Sequence, residues 1–258
     1  MRHVIAALLI LLLACDEKTD VTAYLGVTDR DLGTPPTIDI LVDHGSNAPG
    51  TPENLDLVVS GILSQVARRP GSTVRGFWCA NTVGESKLIS AYVVPPPAKP
   101  NLRAREAHAK AVIADGSRRF HEAAAPFFAD FHRKTTPLIE TIARIALAGN
   151  PTGGDRVILA VTDLREESEL FGRFECDALP SRDAFLASVA TVLPKDSLQG
   201  ATVYAVFAAP DSVDGDRCPV RIARFRAITQ LFAAAIEQAG GRFLLSPTSI
   251  PQLERKSS

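Results

Sequence analysis

Short apolar runs alternate with longer amphipathic stretches along most of the chain, and this alternation restricts the fold more than any other feature. The runs are rich in β-branched residues, as buried strands are, and cover residues 37–43, 73–79, 88–94, 156–162, 201–208 and 242–245. Between them, apolar residues recur at helical spacing over 51–66, 103–133, 136–148, 181–192 and 220–239. The alternation predicts a Rossmann-like, doubly wound α/β fold, in which helices cover both faces of a mostly parallel sheet.

Threonine, proline and glycine residues indicate where helices begin and where they are interrupted. Thr51-Pro52 and Thr136-Pro137 each combine a capping threonine with a proline suited to the first helical position. Gly116 and Pro126 are expected to break or kink the helix predicted over 103–133.

The first 14 residues have the pattern of a secretory signal peptide. Met1, Arg2 and His3 precede the eleven apolar residues 4–14, and a polar stretch follows Cys15. A membrane-spanning helix needs about 20 apolar residues, so this stretch is too short to span a membrane. We expect the chain to be exported and residues 1–14 to be removed.

Leu12-Leu13-Ala14-Cys15 resembles the lipobox of bacterial lipoproteins, in which the cysteine is acylated and becomes the first mature residue. The resemblance implies that Cys15 carries acyl chains such as palmitate, which hold a protein at a membrane because each buried methylene contributes about 0.8 kcal/mol. An uncleaved anchor with a chance cysteine is the alternative. Asp16, directly after the cysteine, resembles the signal that retains lipoproteins at the inner membrane of enterobacteria. Because other bacteria do not all follow this rule, we expect the protein in the cell envelope, at either the inner or the outer membrane. The folded domain is expected in the periplasm or outside the cell.

Charge and length limit the partners and the number of domains. The chain has 28 basic and 29 acidic residues, and a nearly neutral chain without a basic patch is a poor partner for nucleic acid. About 220 residues after the tether suit one α/β domain. We therefore expect a signal peptide (1–14), a lipidated tether (15–36) and a single domain (37–258), with residues 21–27 as a candidate edge strand.

Polar residues follow two of the predicted strands and precede one predicted helix. Asp43 ends the first strand, Asp163 follows the strand 156–162, and Thr136 stands at a helix start. In an open α/β sheet the site lies at the carboxyl ends of the strands. These three residues are therefore expected at one edge of the sheet.

A first-strand aspartate, a middle Thr136-Pro137-Leu138 and a second hydrophobic strand ending in Asp163 together resemble the von Willebrand factor type A domain. The resemblance covers roughly residues 37–245 and implies a metal ion-dependent adhesion site, with Mg²⁺ or Mn²⁺ held by Asp43, Asn47, Thr136 and Asp163. Oxygen ligands suit such hard cations. The family has serines at the positions of Gly45 and Asn47, so the implied metal site is degenerate.

Each of these residues also has a structural interpretation. Asp43 could cap the following helix or pair with His44, Thr136 is a standard helix start, and Asp163 could begin a turn. Two carboxylates at one edge repel each other, and a cation, a basic neighbour such as Arg165 or a raised pKa would relieve the repulsion. With Glu166, Glu167 and Glu169 close by, the loop is expected to be acidic and solvated.

The same resemblance implies a disulfide. Cys176 and Cys218 follow strands that are neighbours in the family's sheet, and an exported compartment is oxidising. Cys79 ends a strand on the other side of the first strand and is expected to be a buried thiol.

Taken together, these features favour a membrane-anchored envelope protein whose domain binds a protein partner or scaffolds an assembly. The sequence has no Gly-x-Ser-x-Gly elbow, Gly-rich phosphate loop or paired redox cysteines. A metal-dependent hydrolase using Asp43 and Asp163 and a purely structural domain are the two alternatives.

Overall fold

A computed structural model describes residues 33–43, 50–80, 85–98, 101–129, 135–174, 177–208, 221–246 and 248–253. Its main sheet has six strands: β1 (Thr37–Asp43), β2 (Thr73–Cys79), β3 (Lys87–Val93), β4 (Arg156–Val161), β7 (Ala201–Val206) and β8 (Arg242–Ser246). Their order across the sheet is β3-β2-β1-β4-β7-β8. The outermost strand β3 is the only strand of this sheet that runs antiparallel to its neighbour. Strand order reverses at β1 and β4, so the carboxyl ends of these two strands flank the position where doubly wound sheets bind ligands.

Helices cover both faces of this sheet. They are α1 (Pro52–Val66), α2 (Leu102–Phe128), α3 (Leu138–Leu147), α4 (Arg182–Val192) and α5 (Ile222–Gln238). Successive strand residues point to opposite faces, so Ile40 packs with α1 and α2, whereas Leu41 packs with α3, α4 and α5. The fold class expected from the sequence is confirmed.

The long helix α2 is continuous through Gly116 and Pro126, so the break expected as one outcome at these residues does not occur. Gly116 allows close contact with α1: a Cβ atom there would lie 2.6 Å from Leu63 Cδ1. Pro126 lies in the last turn, so only two helical residues follow it.

A small hairpin that the sequence did not predict follows β4. Its strands are β5 (Glu167–Ser168) and β6 (Gly172–Arg173), paired antiparallel. Gly172 has a φ of 72°, a left-handed conformation that glycine adopts without steric cost at a hairpin turn.

The central helix α3 is held at its C-terminal end by a buried ionic cluster. Asp39 on β1 is fully buried and accepts hydrogen bonds from Arg75 on β2 (2.6 and 3.0 Å) and Arg156 on β4 (3.1 Å). The two guanidinium groups also donate to the last carbonyls of α3 and of the turn after it, including Ile145 O and Ala148 O. Cations at a helix C-terminus complement its negative dipole end, so this cluster fixes α3 to the sheet.

Within the residues described above, no helix is both long enough and apolar enough to cross a membrane.

Candidate functional site

The candidate site is the edge of the sheet at the carboxyl ends of β1 and β4, called here the working edge and defined by Asp43, Thr136, Asp163 and the loop 162–168. Asp43 is buried, and its Oδ2 accepts a hydrogen bond from the Thr162 hydroxyl at 2.8 Å. The same hydroxyl oxygen accepts from Leu164 N at 3.0 Å. Thr162 therefore ties the end of β1 to the loop that leaves β4.

Asp163 is paired with a basic neighbour. Its Oδ2 lies 3.1 Å from Arg165 Nε, and its Oδ1 accepts from Arg165 N at 3.1 Å. The two side chains are only 13% and 14% exposed, so this ion pair is better shielded from water than most surface pairs. The residue between them, Leu164, is buried and has a φ of 65°, a strained conformation for a leucine. A basic neighbour was one of the three ways in which repulsion between Asp43 and Asp163 was expected to be relieved, and Arg165 is such a neighbour.

Thr136 does not cap α3 with its side chain, because the N-cap position belongs to Pro137, which has no capping side chain. Instead the main chain of Thr136 forms an isolated β-bridge with Glu167, through hydrogen bonds of 2.7 and 3.0 Å. The loop 162–168 therefore touches Asp43 at its start and Thr136 near its end. This loop brings the three predicted positions to one edge.

Glu166 supplies the missing helix cap, and sequence reasoning did not find it. Its Oε2 accepts a hydrogen bond from Ile139 N at 3.0 Å in the first turn of α3. The expectation of a solvated loop was wrong at this position, since Glu166 is completely buried. An acidic run normally faces water, whereas here the β-bridge turns the loop back onto the helix. A carboxylate also suits the positive end of the helix dipole.

Glu140, on the first turn of α3, adjoins this cap. Its carboxyl group lies within hydrogen-bonding reach of the side chains of Glu166 and Ser168. Burial raises the pKa of Glu166 well above its ordinary value and the charge of Glu140 raises it further, against the opposing effect of the hydrogen bond from Ile139 N–H. Burial also raises the pKa of Glu140.

Two of the four expected metal ligands already have side-chain partners in the described part of the protein. Asp163 already has a guanidinium partner, and Asp43 accepts a hydroxyl donor. In the part of the chain that the structure covers, no three His, Cys, Asp or Glu side chains form a group that could hold a metal ion. Asn47, the fourth expected ligand, lies outside the described residues, as do Gly45 and His44.

The expected lipidation site Cys15 and the expected disulfide cysteines Cys176 and Cys218 also lie outside the described residues. Cys79 is buried as expected, with its Sγ 3.5 Å from the Thr141 hydroxyl, which donates to it.

No protein-family model and no curated protein matches the sequence. Several solved proteins have similar structures, and three of them are described here. They are a conserved hypothetical protein, BatB, from Bacteroides thetaiotaomicron (14% identity, 84% of this chain and 92% of that chain, TM-score 0.37), the pilus adhesin SpaC from Lactobacillus rhamnosus GG (12%, 83% and 29%, 0.46), and the human COPII-coat protein Sec24c (12%, 83% and 30%, 0.33).

This chain therefore spans less than a third of SpaC and of Sec24c. At these identities and TM-scores the likeness concerns the fold alone. The description that this chain's own geometry supports is a doubly wound α/β domain with Asp43, Thr136 and Asp163 at one edge of the sheet.

Proposed function

We propose that the chain is a lipid-anchored envelope protein that binds a protein partner, or scaffolds an envelope assembly, through its working edge. The observation that supports this function is the loop 162–168, which gathers Asp43, Thr136 and Asp163 at the point where strand order reverses. Loops held in place by a rigid sheet are where proteins commonly place binding residues.

The edge offers a partner both charge and apolar surface. The ion pairs Asp163–Arg165 and Glu167–Arg173 lie on the loop and on the hairpin that follows it. Leu170, at the tip of that hairpin, is 40% exposed. A strained backbone at Leu164 also favours a functional loop, because strain persists only where the surrounding structure enforces it. A partner that presents a mixed polar and apolar surface fits this edge.

Site-specific photo-crosslinking of the full-length protein in cells of its native host would test the proposal. A photoreactive residue at position 170 should give a discrete crosslinked band, whereas one at Leu147 should not. Leu147 is the matched control, since it is 76% exposed but lies at the end of α3, at the opposite edge of the sheet. Asp163→Ala, which leaves Arg165 without its carboxylate, should weaken the band from position 170.

Metal dependence is tested in the same assay. Because Arg165 already pairs with Asp163, crosslinking should persist after chelation and should not increase with magnesium or manganese. Crosslinking that needs either ion would instead support the degenerate metal site of Asp43, Asn47, Thr136 and Asp163. Equal bands from positions 170 and 147, or no band from either, would contradict the working edge as a binding surface.

A further inference from the structure

Two carboxylates lie close together at the N-terminus of α3, next to the loop 162–168. Glu166 is fully buried and Glu140 half-buried. One oxygen of each, Glu166 Oε1 and Glu140 Oε2, is shielded from water and has no hydrogen-bond donor among the described residues. Two ionised carboxylates placed in this way would repel each other and leave both oxygens unsatisfied.

The described groups around the pair favour one negative charge, and no basic side chain contributes to the shifted pKa values of Glu140 and Glu166. The N–H group of Ile139 and the positive end of the α3 dipole stabilise a single negative charge. Across the described residues, the charged side chains on adjoining segments have other contacts: Asp163 with Arg165, Glu167 with Arg173, and Arg224 of α5 with the carbonyls of Phe174 and Asp177. Arg144 is exposed, one turn further along α3.

We propose that Glu140 and Glu166 share one proton, so that a carboxylic acid donates its O–H to a carboxylate, and that this proton holds the loop 162–168 against α3. A proton shared between the two carboxyl groups leaves the pair with the single negative charge that the helix N-terminus favours. The Ser168 hydroxyl, within reach of both carboxyl groups, completes the cluster.

The pair links pH to the working edge, a consequence that rests on the proposed function. Glu166 adjoins Arg165 on one side and Glu167, the bridge to Thr136, on the other. When the shared proton is lost, repulsion between the two carboxylates is expected to separate the loop 162–168 from α3. The edge is therefore expected to be ordered below the pKa of the pair and to loosen as the pH rises through it.

The direction of this pH dependence follows from the linkage between proton binding and folding. The pKa of Glu166 is raised in the folded protein, so the stability contributed by the pair is complete below the unfolded value of about 4.5 and is lost as the pH rises through the folded value. One bound proton changes the folding equilibrium constant by at most about tenfold per pH unit.

Two measurements on the full-length protein in detergent micelles test the pair. Infrared spectroscopy with isotope-labelled glutamate should detect a protonated carboxyl group in the wild type well above pH 4.5, and Glu166→Gln should abolish that band. Urea unfolding against pH should show that Glu166→Gln equals the wild type at low pH and becomes more stable than it at high pH. The amide that this substitution introduces can accept from Ile139 N–H and donate to Glu140, as the neutral acid does.

Glu106→Gln, which removes a carboxylate from an exposed position on α2, is the matched control and should parallel the wild type at every pH. If the wild type has no protonated carboxyl above the ordinary glutamate range, the proposal is wrong even if Glu166→Gln fails to fold. Parallel pH profiles for the wild type and Glu166→Gln would also overturn it. Both results are independent of crosslinking, so a failed partner assay and a failed proton assay are distinguishable.

Discussion

Removal of the Asp39 carboxylate is the sharpest test of how α3 is fixed to the sheet. Asp39→Ala eliminates hydrogen bonds of 2.6, 3.0 and 3.1 Å and leaves the guanidinium groups of Arg75 and Arg156 buried without their shared anion. Breaking a buried pair by removing one partner costs about 3 to 5 kcal/mol. Both arginines keep their contacts with the carbonyls at the end of α3, so we expect a loss near the lower limit, about 3 kcal/mol.

Such a loss is readily measured. It corresponds to roughly a hundredfold change in the folding equilibrium constant and, for a domain of this size, to a melting temperature lower by about 6 to 12 °C. Urea unfolding of wild type and Asp39→Ala, followed by far-UV circular dichroism, gives the free energy directly. Asp39→Asn keeps the shape and one acceptor oxygen, and should lose less stability than Asp39→Ala.

Asp56→Ala is the matched control, because it removes an aspartate from an exposed pair with His121 at 3.3 Å. Surface substitutions of this kind change stability by about 0.5 kcal/mol or less. The reasoning is refuted if Asp39→Ala loses under about 1 kcal/mol, or if the two aspartate variants lose equal amounts.

Three further predictions concern the anchor, the disulfide and the packing of α2. Cys15→Ser should abolish processing and membrane association in fractionated envelopes; a serine variant that is processed and membrane-bound like wild type would contradict acylation. Non-reducing peptide mapping should join Cys176 to Cys218, a bond that closes about 40 residues and contributes about 3 to 4 kcal/mol, and a bond to Cys79 would exclude this pairing. Gly116→Ala should destabilise by about 1 to 3 kcal/mol although alanine favours helices, because its Cβ would lie 2.6 Å from Leu63 Cδ1; a stabilised variant would show that α1 and α2 can separate without cost.

The sequence predicted the elements well where local chemistry decides them. The strand Thr37–Asp43 and the strand Thr73–Cys79 have the predicted bounds, because apolar and β-branched residues cluster there. The helix after Thr51 begins as predicted, with Asn54 N donating to the Thr51 hydroxyl.

Contacts between residues far apart in the sequence produced the features that the sequence did not predict. Asp39 pairs with residues 36 and 117 positions away, and an aspartate within an apolar strand gives no indication of these partners. Glu166 stands in an acidic run that normally faces water, and only the bridge between Thr136 and Glu167 buries it. Gly116 is tolerated in a helix because Leu63 occupies the space of its missing side chain. No local pattern reports a neighbour of this kind.

The direction of β1 determines how the working edge is presented. The chain enters the sheet at the edge opposite Asp43, where Thr34 O accepts from Arg69 and Thr37 N donates to Asp155 O. A strand rises about 3.3 Å per residue, so the working edge lies roughly 20 Å further from that point. If Cys15 carries the proposed lipid, the working edge therefore lies at the end of the domain away from the point where the anchored segment joins the sheet.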